Sequence, residues 1–337
     1  MVTIRDVAKK AGVGVGTVSR VLNQSPLVRE ETRLQVLKVI EELDFRPNAA
    51  ARRLSSGKSL SIGVVVPFFT RPGFSTRLNG VVNVLSSSPY DLMIYNVDSL
   101  ALRKNFFYSL PGRDSVDGII FLSLPPFDHE AEILTKLDVP LVLVDSENEK
   151  LEQFHQVIVD DVQGGYIAGK HLLELGHRRI AFLSDFLETP FNFQSAKKRY
   201  QGFCKALKEF DMEPEDAILL EGEHGRVEAR GMAKELLSLA EPPTAIFATS
   251  DTQAIGVLEA AKELNKKVPD DLSVIGFDDI EIADIMGLTT IRQMLFDSGK
   301  RGIELLMDIL DNQPYEPIHE VLAIELIQRE STAVYKR

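Results

Sequence analysis

The sequence of 337 residues predicts a small all-α head followed by an α/β body with two doubly wound parallel-sheet lobes. Apolar residues recur at helical spacing through residues 3–43. From Leu60 onward, continuous Val/Ile-rich runs alternate with amphipathic stretches, the pattern of parallel strands covered by helices on both faces. The body is too long for one comfortable sheet, so two lobes are expected.

Charge separates the same two regions. Residues 1–60 carry 11 Lys/Arg and 6 Asp/Glu, a net charge of +5. Because the whole chain has a net charge of −12, residues 61–337 carry −17. A basic head on an acidic body confines attraction for phosphate groups to one end of the chain. This distribution favours a nucleic-acid-binding head and argues against a protein that coats DNA along its whole surface.

The first two helices have the pattern of a helix-turn-helix. Thr3 and Asp6 form a variant of the capping box at the start of the first helix, and Gly12 ends it, because glycine enters left-handed backbone space cheaply. A second helix is expected from about Val15 to Leu22. It turns Val18, Val21 and Leu22 inward and presents Thr17, Ser19 and Arg20, the side-chain types that contact DNA.

A phosphate-binding glycine loop is the alternative interpretation of Gly12, Gly14 and Gly16. Such a loop follows a strand and opens a helix. Here the preceding residues, 4–11, have helical rather than strand periodicity, which argues against a nucleotide site.

A third helix over Glu30–Leu43 is expected to close the core of the head with Leu34, Leu37, Val39, Ile40 and Leu43. Pro47 ends this region. Asn48 then caps a short basic segment, residues 49–54, that contains Ala51, Arg52 and Leu54. Two interpretations stay open for this segment. It is either a hinge helix that orders on DNA with Leu54 in the minor groove, or a flexible basic linker.

Ten strands are predicted in the body. They are Ile62–Phe68, Leu92–Asn96, Gly118–Ser123, Leu141–Asp145, Val157–Asp160, Arg179–Ser184, Ile218–Glu221, Ala245–Thr249, Ser273–Phe277 and Val321–Ile327.

Motifs along almost the whole chain resemble the lactose/galactose-repressor family of bacterial transcription regulators. They are Thr3–Asn23, the Glu31–Leu43 helix, Arg46-Pro-Asn-Ala-x-Ala-Arg-x-Leu54, Asp117-Gly-Ile-Ile120, Gly176-His177, Ser195-Ala-x-x-Arg199-x-x-Gly202-Phe203, Ser273–Asp279 and Leu288–Gln293. The resemblance implies a helix-turn-helix head at 1–45, a hinge at 46–60 and a periplasmic-binding-protein type I-like body for effector binding and dimerisation at 61–337. Its N-lobe would span about 61–160 plus 294–318, and its C-lobe about 161–290 plus 319–337.

The resemblance also assigns candidate DNA contacts: Thr3, Val15, Gly16, Thr17, Ser19, Arg20, Asn23, Asn48, Ala51, Arg52 and Leu54. Two departures affect base reading. The family usually has serine at the position of Gly14, and its base-selecting positions are here Val15 and Gly16. Glycine has no side chain for a base edge, and valine offers only apolar contact. We therefore expect Arg20, Leu54 and DNA shape to carry more of the specificity.

Candidate effector residues follow the carboxyl ends of strands, where ligands of parallel sheets bind. Phe68 and Phe74 are candidates for stacking on a ring, although ordinary packing also explains such residues. Asp145 ends a strand, as does Asp160, for which a helix-capping role is equally consistent. Ser250 and Asp251 end another strand, and the family often has asparagine at the position of Ser250. The resemblance adds Arg199 as the effector-gripping arginine, Asp278 as an acceptor for sugar hydroxyls, and Gln293 on a crossover where the family contacts ligand. A helix-surface cation is the alternative for Arg199.

These residues predict a homodimeric regulator that binds a pseudo-palindromic operator on double-stranded DNA and is controlled by a small effector, with a sugar favoured and a purine or a phosphoprotein partner as alternatives. No cofactor or metal is expected: the histidines lack metal-ligand spacing, and no hydrolase or Walker motif is present. A solute-binding protein and a sugar-acting enzyme are the competing classes. The absence of an apolar signal segment leads us to expect a cytoplasmic protein, and the single cysteine, Cys204, excludes a disulfide within the chain.

Overall fold

A computed structural model describes residues 2–22, 25–45, 59–110, 116–311 and 315–336. The chain divides into two compact units, Met1–Ser59 and Leu60–Arg337, and we call them the head and the body. Residues 46–58 of the predicted hinge lie outside the described residues. So do the candidate DNA contacts Asn23, Asn48, Ala51, Arg52 and Leu54. No described helix is long and apolar enough to cross a membrane.

The head contains three helices, α1 (Ile4–Lys10), α2 (Val15–Leu22) and α3 (Glu30–Glu42). At the start of α1, the backbone N–H and the hydroxyl of Thr3 both donate to the Asp6 carboxylate, at 2.8 and 2.7 Å. The Asp6 carboxylate thus accepts from the Thr3 backbone N–H, as expected for the capping-box variant. Gly12 has φ = +64°, as expected for the residue that ends α1.

The core of the head consists of alanine and valine side chains together with one phenylalanine. Val7, Ala8, Ala11, Val18, Val21, Val36, Val39 and Phe45 are buried together. The predicted face of α3 is partly wrong, because Leu34 and Leu37 are 60% and 45% exposed while Val36 is fully buried. The apolar positions of α3 are too evenly spread for the sequence alone to show which side packs. Gln35 ties α3 to α1 by donating to the Ala11 carbonyl at 3.1 Å.

The first lobe of the body is built on a six-stranded parallel sheet with the order β11-β5-β4-β3-β1-β2. Its strands are β1 (Ser61–Val66), β2 (Asp91–Asn96), β3 (Gly118–Leu122), β4 (Leu141–Val144), β5 (His155–Val159) and β11 (His319–Leu322). The helices of this lobe are α4 (Pro72–Leu85), α5 (Leu100–Ser109), α6 (Asp128–Leu134) and α12 (Leu295–Asp311). Strands β1, β3 and β4 are buried along their whole length, as expected for a sheet covered on both faces.

The second lobe repeats this plan with the strand order β12-β10-β9-β8-β6-β7. Its strands are β6 (Ile180–Asp185), β7 (Ile218–Gly222), β8 (Ala245–Ala248), β9 (Ser273–Asp278), β10 (Thr289–Arg292) and β12 (Glu325–Ile327). The helices are α7 (Asp161–Glu174), α8 (Ser195–Glu209), α9 (Arg226–Leu237), α10 (Asp251–Glu263) and α11 (Glu281–Ile285). Only β12 runs antiparallel to its neighbour among these described strands.

Two sequence-based expectations are wrong at the end of the chain. The single strand predicted over Val321–Ile327 is two strands, and they belong to different sheets, since β11 pairs with β5 and β12 with β10. Residues 319–322 therefore lie in the first lobe and not in the second, as the predicted boundary had them. Strand β10 was not predicted, because it has only four residues and lacks a long apolar run.

Glycines allow the helices of each lobe to pack backbone against backbone. A Cβ built on Gly299 of α12 would lie 1.8 Å from the Arg77 carbonyl oxygen of α4. A Cβ on Gly165 of α7 would lie 1.9 Å from the Arg199 carbonyl oxygen of α8. No side chain fits in either gap, so both arginines have their backbone fixed by a glycine of the neighbouring helix.

Acid is expected to destabilise the body through His171 and His177, which are buried and hydrogen-bonded to Thr332 and Thr244. Burial lowers the pKa of both imidazoles. Below about pH 6.5 the unfolded chain then binds protons that the folded chain does not. The contribution of these two histidines to the free energy of unfolding should therefore fall as the pH drops below that value.

Denaturant titrations across this pH range test the expectation. His177→Gln should flatten the fall in unfolding free energy, whereas His129→Gln, at an exposed position, should not. If the unfolding free energies of the wild type and of His177→Gln fell equally steeply with pH, the role given to His177 would be contradicted.

Candidate functional site

The head presents the predicted base-reading positions to solvent. Val15 is 42% exposed, Gly16 and Arg20 are also exposed, and Thr17 and Ser19 are half-buried. Thr3 is exposed at the start of α1. Their exposed surface is compatible with DNA contact, and the contacts themselves stay predictions.

Two glycines of the head should respond oppositely to alanine. A Cβ on Gly16 meets nothing within 4 Å, and the residue lies inside α2. Gly16→Ala should therefore raise the free energy of unfolding of the head, by about 0.5 kcal/mol. Gly12 also has free space around it, but its φ of +64° strains any other residue, so Gly12→Ala should be destabilising. Thermal unfolding followed by circular dichroism measures both, and a stabilised Gly12→Ala variant would contradict this reasoning.

A cleft of about 400 Å³ lies between the two lobes of the body, at the carboxyl ends of both sheets. This volume is in the range of small-molecule sites. Phe68, Phe74, Asp145, Arg199, Ser250, Asp278 and Gln293, all candidate residues from the sequence, line it. Asp160 does not line the cleft, and its side chain caps α7 by accepting from the Gln163 N–H at 2.8 Å.

Arg199 lies at the floor of the cleft and is held from three directions. Its Nε donates to Asp161 at 2.7 Å, one terminal nitrogen donates to the Thr249 carbonyl at 2.6 Å, and the same nitrogen lies 4.0 Å from Asp278. The guanidinium also covers the Phe277 ring at 3.6 Å. Arg199 is therefore a buried cleft residue and not a helix-surface cation.

Burial raises the pKa of Asp161 to about 6, although the adjacent Arg199 pulls it down, and burial also raises the pKa of Asp278. Two desolvated carboxyl groups thus share one guanidinium at the floor. Perturbed groups of this kind are typical of functional clefts.

A second arginine, Arg77 of α4, was missed by the sequence analysis. It is 2% exposed and donates to Ser298 at 2.8 Å and to Asp145 at 2.9 Å, with Ser123 as a further partner. Its other terminal nitrogen reaches Gln293 at 3.5 Å. Each lobe thus contributes one buried arginine paired with an aspartate. Nothing in the amphipathic pattern of α4 distinguishes Arg77 from a surface cation.

Four phenylalanine rings form one wall of the cleft, which we call the aromatic wall: Phe68, Phe74, Phe191 and Phe193. Phe191 and Phe193 stack with centroids 5.4 Å apart and planes 10° apart, and Phe68 lies 5.3 Å from Phe191. Phe191 and Phe193 lie in the loop between β6 and α8, which the sequence analysis did not consider. Arg103 of the first lobe fixes this loop by donating to the Phe191 carbonyl at 2.6 Å.

A polar cluster lies farther along the cleft, at the ends of β6 and β7. The Asp185 carboxylate accepts from Gln253 at 2.9 Å and contacts His224 Nδ1 at 3.0 Å. Gln253 is fully buried and in turn accepts hydrogen bonds from Thr249 and Ser250. The position of Asp185 is therefore fixed before any ligand binds.

The assignment of Asp251 to the effector site is wrong. Its side chain is fully buried below the cleft, where it accepts from the Thr290 hydroxyl at 2.5 Å and the Ile280 N–H at 2.9 Å. Burial raises the pKa of this carboxyl group. Asp251 therefore stabilises the turn after β9. The neighbouring Ser250 lies at the cleft surface and caps α10 by accepting from the Gln253 N–H.

Four residues that line the cleft have strained backbone conformations. Phe68, Ser123, Asp145 and Asp278 have positive φ values of 44°, 52°, 52° and 118°. Non-glycine residues in this region cost free energy and concentrate at binding sites. Among the described residues no group of three or more His, Cys, Asp or Glu side chains is placed to hold a metal ion.

Comparison with known proteins matches a family model to the head and another to the body. Residues 3–48 match the family of bacterial regulatory proteins, lacI family, and residues 170–332 match the periplasmic binding protein-like domain. Catabolite control protein A of Priestia megaterium is 33% identical, over 98% of this chain and 99% of its own. The HTH-type transcriptional repressor PurR of Vibrio vulnificus is 32% identical, over 98% of each chain.

Two solved structures of regulators resemble the chain over most of its length. The lac repressor dimer bound to operator and the anti-inducer ONPF is 27% identical, with a TM-score of 0.84 over 98% of this chain and 99% of its own. A LacI family transcriptional regulator from Enterococcus faecium with bound ribose is 32% identical, with a TM-score of 0.73 over 82% of this chain and 100% of its own.

Proposed function

Because the chain belongs to the lacI family of bacterial regulatory proteins, it is a DNA-binding transcriptional regulator, and we propose that it is a repressor controlled by a neutral sugar bound in the cleft of the body. We also propose that it acts in the cytoplasm, as a homodimer on a pseudo-palindromic operator. Two symmetric heads suit two half-sites about one helical turn, or a multiple of it, apart.

The charge of the cleft carries the proposal for the effector. Six carboxyl groups line it (Asp145, Glu147, Asp161, Asp185, Glu223 and Asp278) against four cations (Arg71, Arg77, Lys198 and Arg199). With all of these ionised and His224 neutral, the net charge is −2. Such a site repels phosphorylated and other anionic ligands.

Arg77 and Arg199, which would otherwise attract an anion, are already neutralised by Asp145 and Asp161. Their remaining N–H groups and the carboxylate oxygens offer alternating donors and acceptors. A hydroxyl group can both donate and accept, so a polyhydroxylated molecule satisfies this set without net charge. The related regulator with bound ribose is consistent with an effector of this class.

A purine is the second candidate, favoured by the stacked rings of Phe191 and Phe193. A flat base would use the aromatic wall, but it has few groups for the carboxylates at the floor. Buried acceptors left without partners cost affinity, which ranks the purine below the sugar.

Operator selection followed by a ligand screen tests the function. DNA bound from a random pool defines the operator, and calorimetry then compares neutral sugars, their phosphate esters and purine bases. A sugar at about one hundred times its Kd should raise the unfolding free energy by about 2.7 kcal/mol. It should also shift operator affinity, and operator should shift sugar affinity by the same factor. Binding of phosphate esters or purines alone would overturn the sugar assignment, and absence of any preferred duplex would overturn the function.

A further inference from the structure

The polar groups of the second lobe form a row along the edge of its sheet. Asp278 ends β9, Ser250 follows β8, Asp185 ends β6 and His224 follows β7, and all four line the cleft. In the sheet these strands are neighbours in the order β9-β8-β6-β7. Adjacent strands lie about 4.8 Å apart, so the row spans about 14 Å. This is longer than one sugar ring.

The first lobe contributes a separate arginine to each end of the row. At the inner end, Arg77 reaches toward Gln293 at 3.5 Å, beside Asp278. At the outer end, Arg71 covers the Phe68 ring at 4.0 Å from its centroid. Burial lowers the pKa of the Arg71 guanidinium, while the negative charges of Asp185 and Glu223 raise it. The cleft therefore has two sets of donors and acceptors, each made by both lobes.

The outer set keeps hydrogen-bonding groups for a ligand. His224 uses Nδ1 for Asp185, and its Nε2 has no hydrogen-bond partner among the described residues. Arg71 makes no ion pair with a described residue, in contrast to Arg77 and Arg199. Gln253 is fully buried and holds Asp185 in place, so the set is built in advance and is not a chance grouping of mobile surface charges.

The aromatic wall connects the two ends. Phe68 lies beside Arg71 at the outer end, and its ring contacts Phe191 and Phe193 at 5.3 and 6.5 Å. Phe193 in turn lies 6.4 Å from Phe74. A continuous apolar surface of this kind packs against the C–H faces of consecutive rings while their hydroxyl groups face the polar row.

We propose that the effector is a neutral saccharide of at least two rings. One ring occupies the inner end, among Arg77, Arg199 and Asp278, and the next lies along the aromatic wall at the outer end, bound by Arg71, Asp185 and His224. A single ring would leave the outer set solvated and unused. This inference rests on the proposed sugar effector and specifies its size.

Calorimetry on the full-length protein tests the inference with cellobiose, maltose, lactose, sucrose and trehalose against glucose, galactose and fructose. At least one disaccharide should bind about tenfold or more tightly than each of its component monosaccharides. Asp185→Asn and Arg71→Gln should each reduce that ratio about tenfold. Glu188→Gln removes a charge from the same β6–α8 loop at an exposed residue outside the cleft, and it should leave the ratio unchanged.

The outcomes separate the two proposals. If a monosaccharide binds as tightly as every disaccharide that contains it, or if Asp185→Asn and Arg71→Gln leave the ratio intact, the two-ring inference is wrong and the sugar effector stands. If no saccharide of either size binds, the sugar effector itself is wrong and the inference falls with it.

Discussion

Replacing Arg199 with methionine should abolish the effector response and lower the unfolding free energy of the body by about 3–5 kcal/mol. The substitution leaves Asp161 and Asp278, with side chains 5% and 13% exposed, without their shared cation. Breaking a buried ion pair costs this much because the remaining charge stays desolvated. It also removes the donors at the floor of the cleft.

A double variant separates stability from binding. Arg199→Met combined with Asp161→Asn removes one of the two uncompensated charges, the one that pairs with Nε at 2.7 Å, so part of the lost stability should return while effector binding stays absent. Lys205→Met removes a cation from an exposed position of the same helix, α8, and should change neither quantity. Denaturant titration and calorimetry supply the two readings. A stable Arg199→Met protein that still binds effector would contradict the role given to Arg199.

Gly165→Ala should destabilise the body by about 3 kcal/mol, although it adds only one methyl group. The new Cβ would lie 1.9 Å from the Arg199 carbonyl oxygen, a backbone atom that no rotamer change can move away. Helices α7 and α8 must separate, and Arg199 moves with α8. Effector affinity should therefore fall together with stability.

Gly231→Ala is the matched control for this substitution. Gly231 also lies within a helix, α9, but a Cβ there meets nothing within 4 Å. Alanine at this position should leave stability unchanged or raise it by up to about 1 kcal/mol. Similar losses for both variants would show that helix packing at Gly165 is not the cause.

The fold was predictable from the sequence because parallel strands and amphipathic helices leave strong periodic signals. Each predicted strand overlaps an observed one, and the fold class is confirmed by the comparisons. The errors come from short segments. Strand β10 has four residues, and β11 and β12 are separated by only two, so no apolar run marks the point where the chain crosses between lobes.

The candidate site was predictable only in part. Asp145 could be found because residues at the carboxyl ends of parallel strands converge on one edge, whereas Asp278 was identified through the family resemblance. Asp251 follows a strand in the same way but faces the interior, and its sequence position does not distinguish the two orientations. Arg77, Asp161 and the loop residues Phe191 and Phe193 reach the cleft through tertiary packing, which leaves no local signal.

The glycine contacts behind Arg77 and Arg199 have a consequence for redesign. The guanidinium of each arginine pairs with an aspartate, and the backbone carbonyl of each arginine packs against a glycine of the neighbouring helix. Neither of these two anchors, Arg77 and Arg199, can therefore be moved without rebuilding a helix pair. New ligand preferences on this scaffold should therefore be engineered in the loop at 186–194 and at the ends of β6 and β7. There, side chains can be exchanged while the two anchors keep their separation.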